Sequence, residues 1–497
     1  MKARSCRFCL VVGTFLWIST SSVQAAGAAF EAPAPPRLEW VPAADTKVQL
    51  EVAERLRGEF VDWFGDPLVG TTFADRDSRY DFLGHKLQVS ARLTVPGIEM
   101  FLQGQNTVVS NLPRNGVGVG SVYFANTPDR TQATVFVRQG WLRWESNGVS
   151  AVIGRQLYRD AAQALARDAS LRWIQEMRWS QRLIGPFDYT HAGRGFDGAA
   201  FGYLREPWEL SAFAFVPTFG GFETDAMRNI PEIRLAGLSL NRRDGAELLP
   251  HTLARVFWTI YEDERALVVP DARPLPERQR HVGSMLRIHT VGGAAAHVVE
   301  LPSGKADVMA FVYGQAGEWQ NLDHRAWAYG VEAGHRWPQV WGAPWLRGGV
   351  NVGSGDPNRN DGTHETFFQM LPTAWQYAMF PFFNMMNNQD VFLQAVLVPA
   401  SWCNLRFDWH WLRVQQGQDL VYSGGGATSD SFFGYAGVPA NGAKELAHLV
   451  QAYLTLKLHP NAALNLLYAH AFGQTILARQ FSAKHGNYGF VETVLSF

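Results

Sequence analysis

The chain has 497 residues, of which 47% are hydrophobic, 13% aromatic and only 18% charged, with 47 glycines, a balance low in charge and rich in aromatics for a soluble enzyme. Its formal net charge of -1 excludes the global basic field that nucleic-acid binders carry, so nucleic acid is not an expected partner and any charge selectivity must be local. Length alone admits either two or three soluble domains or one closed barrel.

The N-terminus reads MKARSCRFCLVVGTFLWISTSSVQAAGA, with Lys2, Arg4 and Arg7 ahead of an apolar run from Phe8 to Ile18 and then Val23, Gln24 and Ala25. This pattern reads as a secretory signal over residues 1–25, cleaved after Ala25. No later run reaches the roughly 18 apolar residues of a membrane helix. Cys6 and Cys9 leave with the signal, so the mature chain keeps Cys403 alone and can form neither an internal disulfide nor a cysteine metal site. Residues 26–46, rich in Ala and Pro, read as an extended periplasmic lead-in, and residues 47–497 as the body of the protein.

From Lys47 onward the pattern has period two. Val48, Leu50, Val52, Leu56 and Phe60 take one face, and Lys47, Gln49, Glu51, Arg55, Arg57 and Glu59 the other, which is a strand with one apolar and one wet side. A second strand sets Leu87, Val89, Ala91, Leu93 and Val95 against Lys86, Gln88, Ser90, Arg92 and Thr94, and Pro96-Gly97 turns it into a third. The arrangement then repeats. Short turns fall at Asn147-Gly148, Glu206-Pro207, Pro399 to Ser401 and His459 to Asn461, and long polar or Gly-rich segments near 65–79, 108–133, 158–195, 217–231, 262–280, 354–388, 415–445 and 473–486. Long outside loops alternating with short periplasmic turns are the mark of an outer-membrane barrel. Counting strands predicts an all-β, transmembrane antiparallel β-barrel of about 18 strands in the cell outer membrane.

Within the 354–388 segment, the run DPNRNDG from Asp356 to Gly362 looks like a calcium loop. Its sixth position is Asp361 instead of Gly and its twelfth Phe367 instead of Glu, so an Asx-type turn is expected and no metal. The stretch SWCNLRFDWHWLRV, Ser401 to Val414, has Cys403, Leu405, Phe407, Trp409 and Trp411 facing one way and Asn404, Arg406, Asp408 and His410 the other. The chain ends with Val491, Thr493, Leu495 and Phe497 on one face, and this last strand has to pair with the first to abolish an open edge.

If the apolar face meets lipid, parity sends Arg55, Arg57, Glu59, Lys86, Arg92, Arg255, Arg287, His289, Glu332, Arg336, Arg347, Asn351, Arg406, Asp408, Gln451, Lys457 and Glu492 into the lumen. Cations outnumber anions there, and Arg is 37 of the 44 basic residues in the chain. Arg suits bidentate carboxylate recognition. In a bore of about 18 strands these groups stay hydrated and available to an anionic solute; equally, they can brace the wall through ion pairs. Replacing Arg347 and Arg406 together by Glu is expected to reverse ion preference without unfolding the barrel.

Three stretches carry a family likeness. NVGSGDPNRNDGTHETFFQMLPTAWQYA, Asn351 to Ala378, resembles the Ser-Gly-Asp-Pro-Asn stretch and the following Phe and Pro-Thr elements of the alginate-export family of outer-membrane barrels. VIGRQL around Gly154, Arg155 and Gln156, and GRGFDGAAF around Phe196, Asp197 and Gly198, agree with it. Ala374-Trp375 departs from the His that often follows Pro-Thr. The likeness spans Leu50 to the C-terminus. It implies an eighteen-stranded barrel through which alginate or a similar polyuronate leaves the periplasm passively, an Arg-rich lumen, and pore roles for Arg155 and Asp197. It also implies a periplasmic TPR-containing scaffold and other secretion components as partners.

Other readings compete with export of an acidic polysaccharide. A general or anion-selective porin for small solutes needs the same lumen. A barrel-borne hydrolase needs a nucleophile and a base converging near the rim, and the sequence has no Gly-x-Ser-x-Gly elbow, no His-Glu-x-x-His and no phosphate-cradling loop. The protein is therefore expected not to be an enzyme and to need no cofactor.

Overall fold

The structure, a computed structural model, describes residues 38–43, 45–69 and 76–497. The secretory signal and most of the lead-in lie outside the described residues. Twenty strands share one sheet, and eighteen of them, from Thr46–Asp62 to His485–Ser496, run antiparallel to their barrel neighbours and close into a cylinder. The closing seam pairs Ala53–Asp62 with Asn487–Ser496, setting Arg57 opposite Glu492, as the terminal alternation predicts. The two remaining strands are additions. Leu38–Ala43 lies antiparallel against the start of the first barrel strand, and Thr363–His364 lies parallel to Asp323 and His324.

The period-two sequence explains the two faces. On the first barrel strand Arg55, Arg57, Glu59 and Val61 are buried while Leu56 and Phe60 are exposed on the outside. On Cys403–Val414, Arg406, Asp408, His410 and Leu412 point in and Phe407, 43% exposed, points out. Exposed Leu, Val, Trp and Tyr of this kind surround the cylinder, which suits a lipid-facing wall. Two-residue turns at the end holding both termini fit their chemistry: Asn147 and Gly148 have φ of 49° and 79°, the left-handed pair that Asn-Gly accommodates in a tight hairpin.

At the opposite end the connections are long, with one exception, the two-residue turn Gln320-Asn321 between Gly304–Trp319 and Leu322–Arg336. Two long connections, 157–195 and 354–387, fold down into the cylinder. Most of their side chains are buried, including Leu171, Ile174, Leu183, Phe187, Phe367, Leu371, Tyr377 and Met379. They are joined there: the Gly185 amide donates to the Leu371 carbonyl (2.8 Å), the Leu371 amide to Leu183 (2.8 Å) and the Thr373 amide to Gln181 (3.0 Å). The expected water-filled bore is thus replaced, at mid-height, by a packed interior. The run from Phe367 to Met386 holds Phe, Met and Leu that a solvent loop would leave exposed.

Candidate functional site

The inserted segment 157–195 begins its descent with a helix, Ala169–Ile174, capped by the Asp168 carboxylate, which accepts from the amides of Ser170 (2.8 Å) and Leu171 (2.9 Å). It widens into a π-helical turn, Gln175–Trp179, a form of backbone that tends to mark functional positions. This turn aims Arg178 at the wall. Glu332, fully buried on Leu322–Arg336, accepts from Arg178 Nε (2.8 Å) and Nη2 (2.9 Å), from Arg182 Nη2 (3.0 Å) and, at 3.4 Å, from Arg347 Nη2. Arg347 also pairs closely with Asp307. The two loop guanidiniums lie over rings: Arg178 over Phe392 at 4.4 Å and Arg182 over Tyr377 at 4.0 Å, which adds cation–π attraction. Nearby, Arg406 bonds Asp408 at 2.7 Å and donates to the carbonyls of Gln376 and Tyr377.

A second cluster sits at the seam. Arg57 Nε donates to Glu492 (2.7 Å) and its Nη1 to the Tyr189 carbonyl (2.7 Å), and Glu59 bonds His191 (2.8 Å) and the Tyr488 hydroxyl (2.6 Å). Lys86 and Arg138 reach Asp188 at 3.7 and 2.9 Å. A third contact joins Arg255 to Asp160 at 2.5 Å. Each wall arginine at mid-height thus meets a carboxylate or a carbonyl, many of them brought by the inserted segments.

Of the residues read from the sequence, Arg55, Arg57, Arg255, Glu332, Arg347, Arg406, Asp408 and Glu492 face inward and are buried. Arg92 and Lys457 face inward nearer the short turns and remain partly exposed. Four face the other way. Arg287 stands on the outer wall, paired with Glu262 at 2.7 Å, and His289 stacks on Trp258 on the same face. The inward positions of that strand end are Leu286 and Ile288, buried against the packed interior. Parity inverts there because the lumen is apolar and the rim outside is polar. Arg155 and Asp197 form a bidentate pair (2.7 and 2.8 Å) on the face shared with Ile153, 62% exposed, and Phe201, while Gln156 and Phe196 point in. The pore role implied for them by resemblance is corrected to an outer-wall ion pair. Arg347 and Arg406 are both wholly buried in ion pairs, so their joint replacement by Glu would crowd carboxylates without cations and is now expected to unfold the barrel. Sequence reasoning missed Arg178, Arg182, Asp188, His191 and Arg194, which sit in a connection with no strand periodicity.

The DPNRNDG run forms successive Asx turns, Asn358 N to Asp356 (2.9 Å), Asn360 N to Asn358 (3.3 Å) and Thr363 N to Asp361 (2.9 Å). Among the described residues no group of three or more His, Cys, Asp or Glu is arranged to hold a metal ion. This run is latched to the connection 415–444. The Asp419 carboxylate accepts from the Asp356 amide (3.0 Å), the Thr366 hydroxyl (2.6 Å) and the Tyr422 hydroxyl (2.8 Å). Burial pushes the Asp419 carboxyl up to about 6. Burial, with the charges of Asp419, Asp361 and Glu365, pushes Asp356 up to about 7. Both are acids raised above their ordinary value, so the contact is strongest below the usual aspartate range and weakens as pH rises through 6 to 7. Hydrogen exchange across 354–366 and 415–424, corrected for its intrinsic pH dependence, should be faster near pH 8 than near pH 5. Asp419→Asn should flatten the difference.

Comparison with known proteins agrees with this architecture. The family model for Alginate export matches residues 77–489. Similar solved barrels include Acinetobacter baumannii OccAB2 (9% identity, TM-score 0.56, covering 90% of this chain and 98% of that one) and OccAB1 (8%, 0.56, 94% and 99%). Pseudomonas aeruginosa OccK2, solved in complex with glucuronate, is similar at 9% identity and a TM-score of 0.51, covering 90% of this chain and 98% of its own. No curated protein matches the chain. The family and the similar barrels are channel proteins rather than enzymes, and they locate the protein in the outer membrane. The chain belongs to the alginate export family of outer-membrane channels.

Proposed function

We propose that this channel carries an anionic exopolysaccharide, alginate or a similar polyuronate, passively out of the periplasm. The observation that supports the reading is a series of inward cations. It starts near the periplasmic mouth with Lys457, Arg336 and Arg92, which are partly exposed, and continues at mid-height with Arg55, Arg57, Arg255, Arg347 and Arg406. Several weak carboxylate contacts in sequence suit transport better than one tight site, since a chain must both enter and leave. The Asp160 acid that neutralises Arg255 is a carboxylate carried on an inserted segment, so a uronate can take its place without a change of chemistry. A periplasmic TPR scaffold would deliver the polymer to the mouth.

Because Arg336 and Lys457 are only half-buried, Arg336→Glu with Lys457→Glu should leave the barrel folded and shift the reversal potential in a salt gradient toward cations. Unchanged selectivity would remove the mouth from the pathway. The packed mid-height favours a second reading, a porin for small anions. Loss of secreted polymer on deletion, with small-solute uptake intact, separates the two.

A further inference from the structure

On the outer wall, at the end opposite the termini, two histidines face each other across the last two strands. His470, on Ala462–Gly473, stands opposite Asn487 of His485–Ser496, and Phe472 stands opposite His485. His470 Nε2 and His485 Nδ1 are 3.2 Å apart. The other nitrogen of His470 decides the chemistry of that gap. It lies 2.8 Å from Asn487 Oδ1, which also accepts from the Tyr468 hydroxyl (2.8 Å). The Asn487 amide cannot be turned round, because its Nδ2 donates to the Asp62 carboxylate (3.2 Å), itself held by Arg79 (3.2 Å). Nδ1 of His470 therefore carries the proton, and Nε2 presents a lone pair to the second imidazole. The Phe472 ring stands edge-on to both imidazoles, with centroids 4.4 Å from His470 and 5.5 Å from His485, and walls one side of the gap. His485 is exposed at the start of its strand, beside the connection 473–484, so an ion can enter from the rim.

We propose that His470 Nε2 and His485 Nδ1 chelate a divalent zinc ion, with water in its remaining positions. Two imidazole nitrogens bound to one tetrahedral zinc at about 2.0–2.1 Å stand about 3.3 Å apart, and the 3.2 Å gap matches that spacing. Zinc-bound histidines donate their other ring N–H to a carbonyl or carboxylate, which fixes the tautomer and the ring orientation. Asn487, backed by Asp62 and Arg79, does this for His470. Magnesium prefers oxygen ligands and gains little from two imidazoles. The relay runs from Ala462–Gly473 through the last strand and across the closing seam to Thr46–Asp62, so a bound ion ties the last two strands together beside the join. An ion that binds only the folded barrel stabilises it by mass action.

The test is isothermal titration of zinc chloride into the full-length channel, purified in detergent without a histidine tag, with magnesium chloride as the control and heat-modifiable gel migration as the check on folding. Wild type should take up a zinc ion that His470→Ala and His485→Ala each lose, and zinc should raise the temperature at which wild type, but neither variant, loses its folded gel band. Asn487→Ala keeps both ligands and should weaken zinc binding by about 10- to 100-fold, the range for loss of an orienting partner. Zinc binding that is absent in wild type, unmoved in either histidine variant, or matched by magnesium overturns the site. Binding as tight in Asn487→Ala as in wild type overturns the orienting role of Asn487.

Discussion

Glu332→Gln is expected to release the inserted segment from the wall. One buried carboxylate neutralises Arg178 and Arg182 and shares Arg347 with Asp307. Gln keeps the shape and can still accept a hydrogen bond, but it removes the charge, leaving Arg178 and Arg182 as buried guanidiniums with no acid in contact. Breaking a buried pair on one side typically costs about 3–5 kcal/mol, against which the rings of Tyr377, Phe392 and Phe311 offer only partial relief. The expected result is a lower barrel unfolding temperature in heat-modifiable gel shifts together with larger single-channel conductance. Arg178→Met with Arg182→Met in the same background should recover part of the stability, because the stranded charges are gone. A Glu332→Gln channel with wild-type conductance and stability would mean that apolar packing alone holds the segment.

Val312→Arg should act on the opposite face. Val312 is 62% exposed, at the middle of Gly304–Trp319, and its same-face neighbour across the ladder is Tyr329. A charge there meets hydrocarbon, at a cost of about 2–4 kcal/mol for Arg near the midplane. Urea titration in lipid vesicles should show that loss, while Val312→Leu should match wild type. The pair of variants separates lipid exposure from simple packing, since Leu is larger than Val and still apolar.

The wall was legible in the sequence because lipid and lumen impose opposite chemistries on alternate residues. Arg55 against Leu56, or Arg406 against Phe407, leaves little ambiguity, and the turn residues Pro96-Gly97 and Asn147-Gly148 fixed where strands reverse. Two conditions hid the rest. On Leu286–Leu301 the central run Gly292, Gly293, Ala294, Ala295 and Ala296 has no contrast between faces, so the polar residues at its rim, Arg287 and His289, decided the parity wrongly. The inserted segments have no period to read, because each side chain there answers to a three-dimensional neighbour. Arg178 meets Glu332, 154 residues away in the chain. The signal the reading as polar outside loops passed over was composition, above all the Phe and Met of 367–386, too apolar to be left in water.

Arg55 and Arg57 on the first strand, and Glu492 and Tyr488 on the last, are tied to each other and to residues 188–191 from inside. Closure of the cylinder is consequently a three-way event, with the inserted segment 157–195 acting as an internal stitch across the join. Folding of that connection cannot lag far behind the meeting of the chain's two ends without leaving Arg55 in the wall without its carbonyl partners and Glu59 without His191. Substitutions that loosen residues 188–191 so as to widen the channel will also weaken the join, so a leakier pore and a slower-assembling barrel should arise from the same changes.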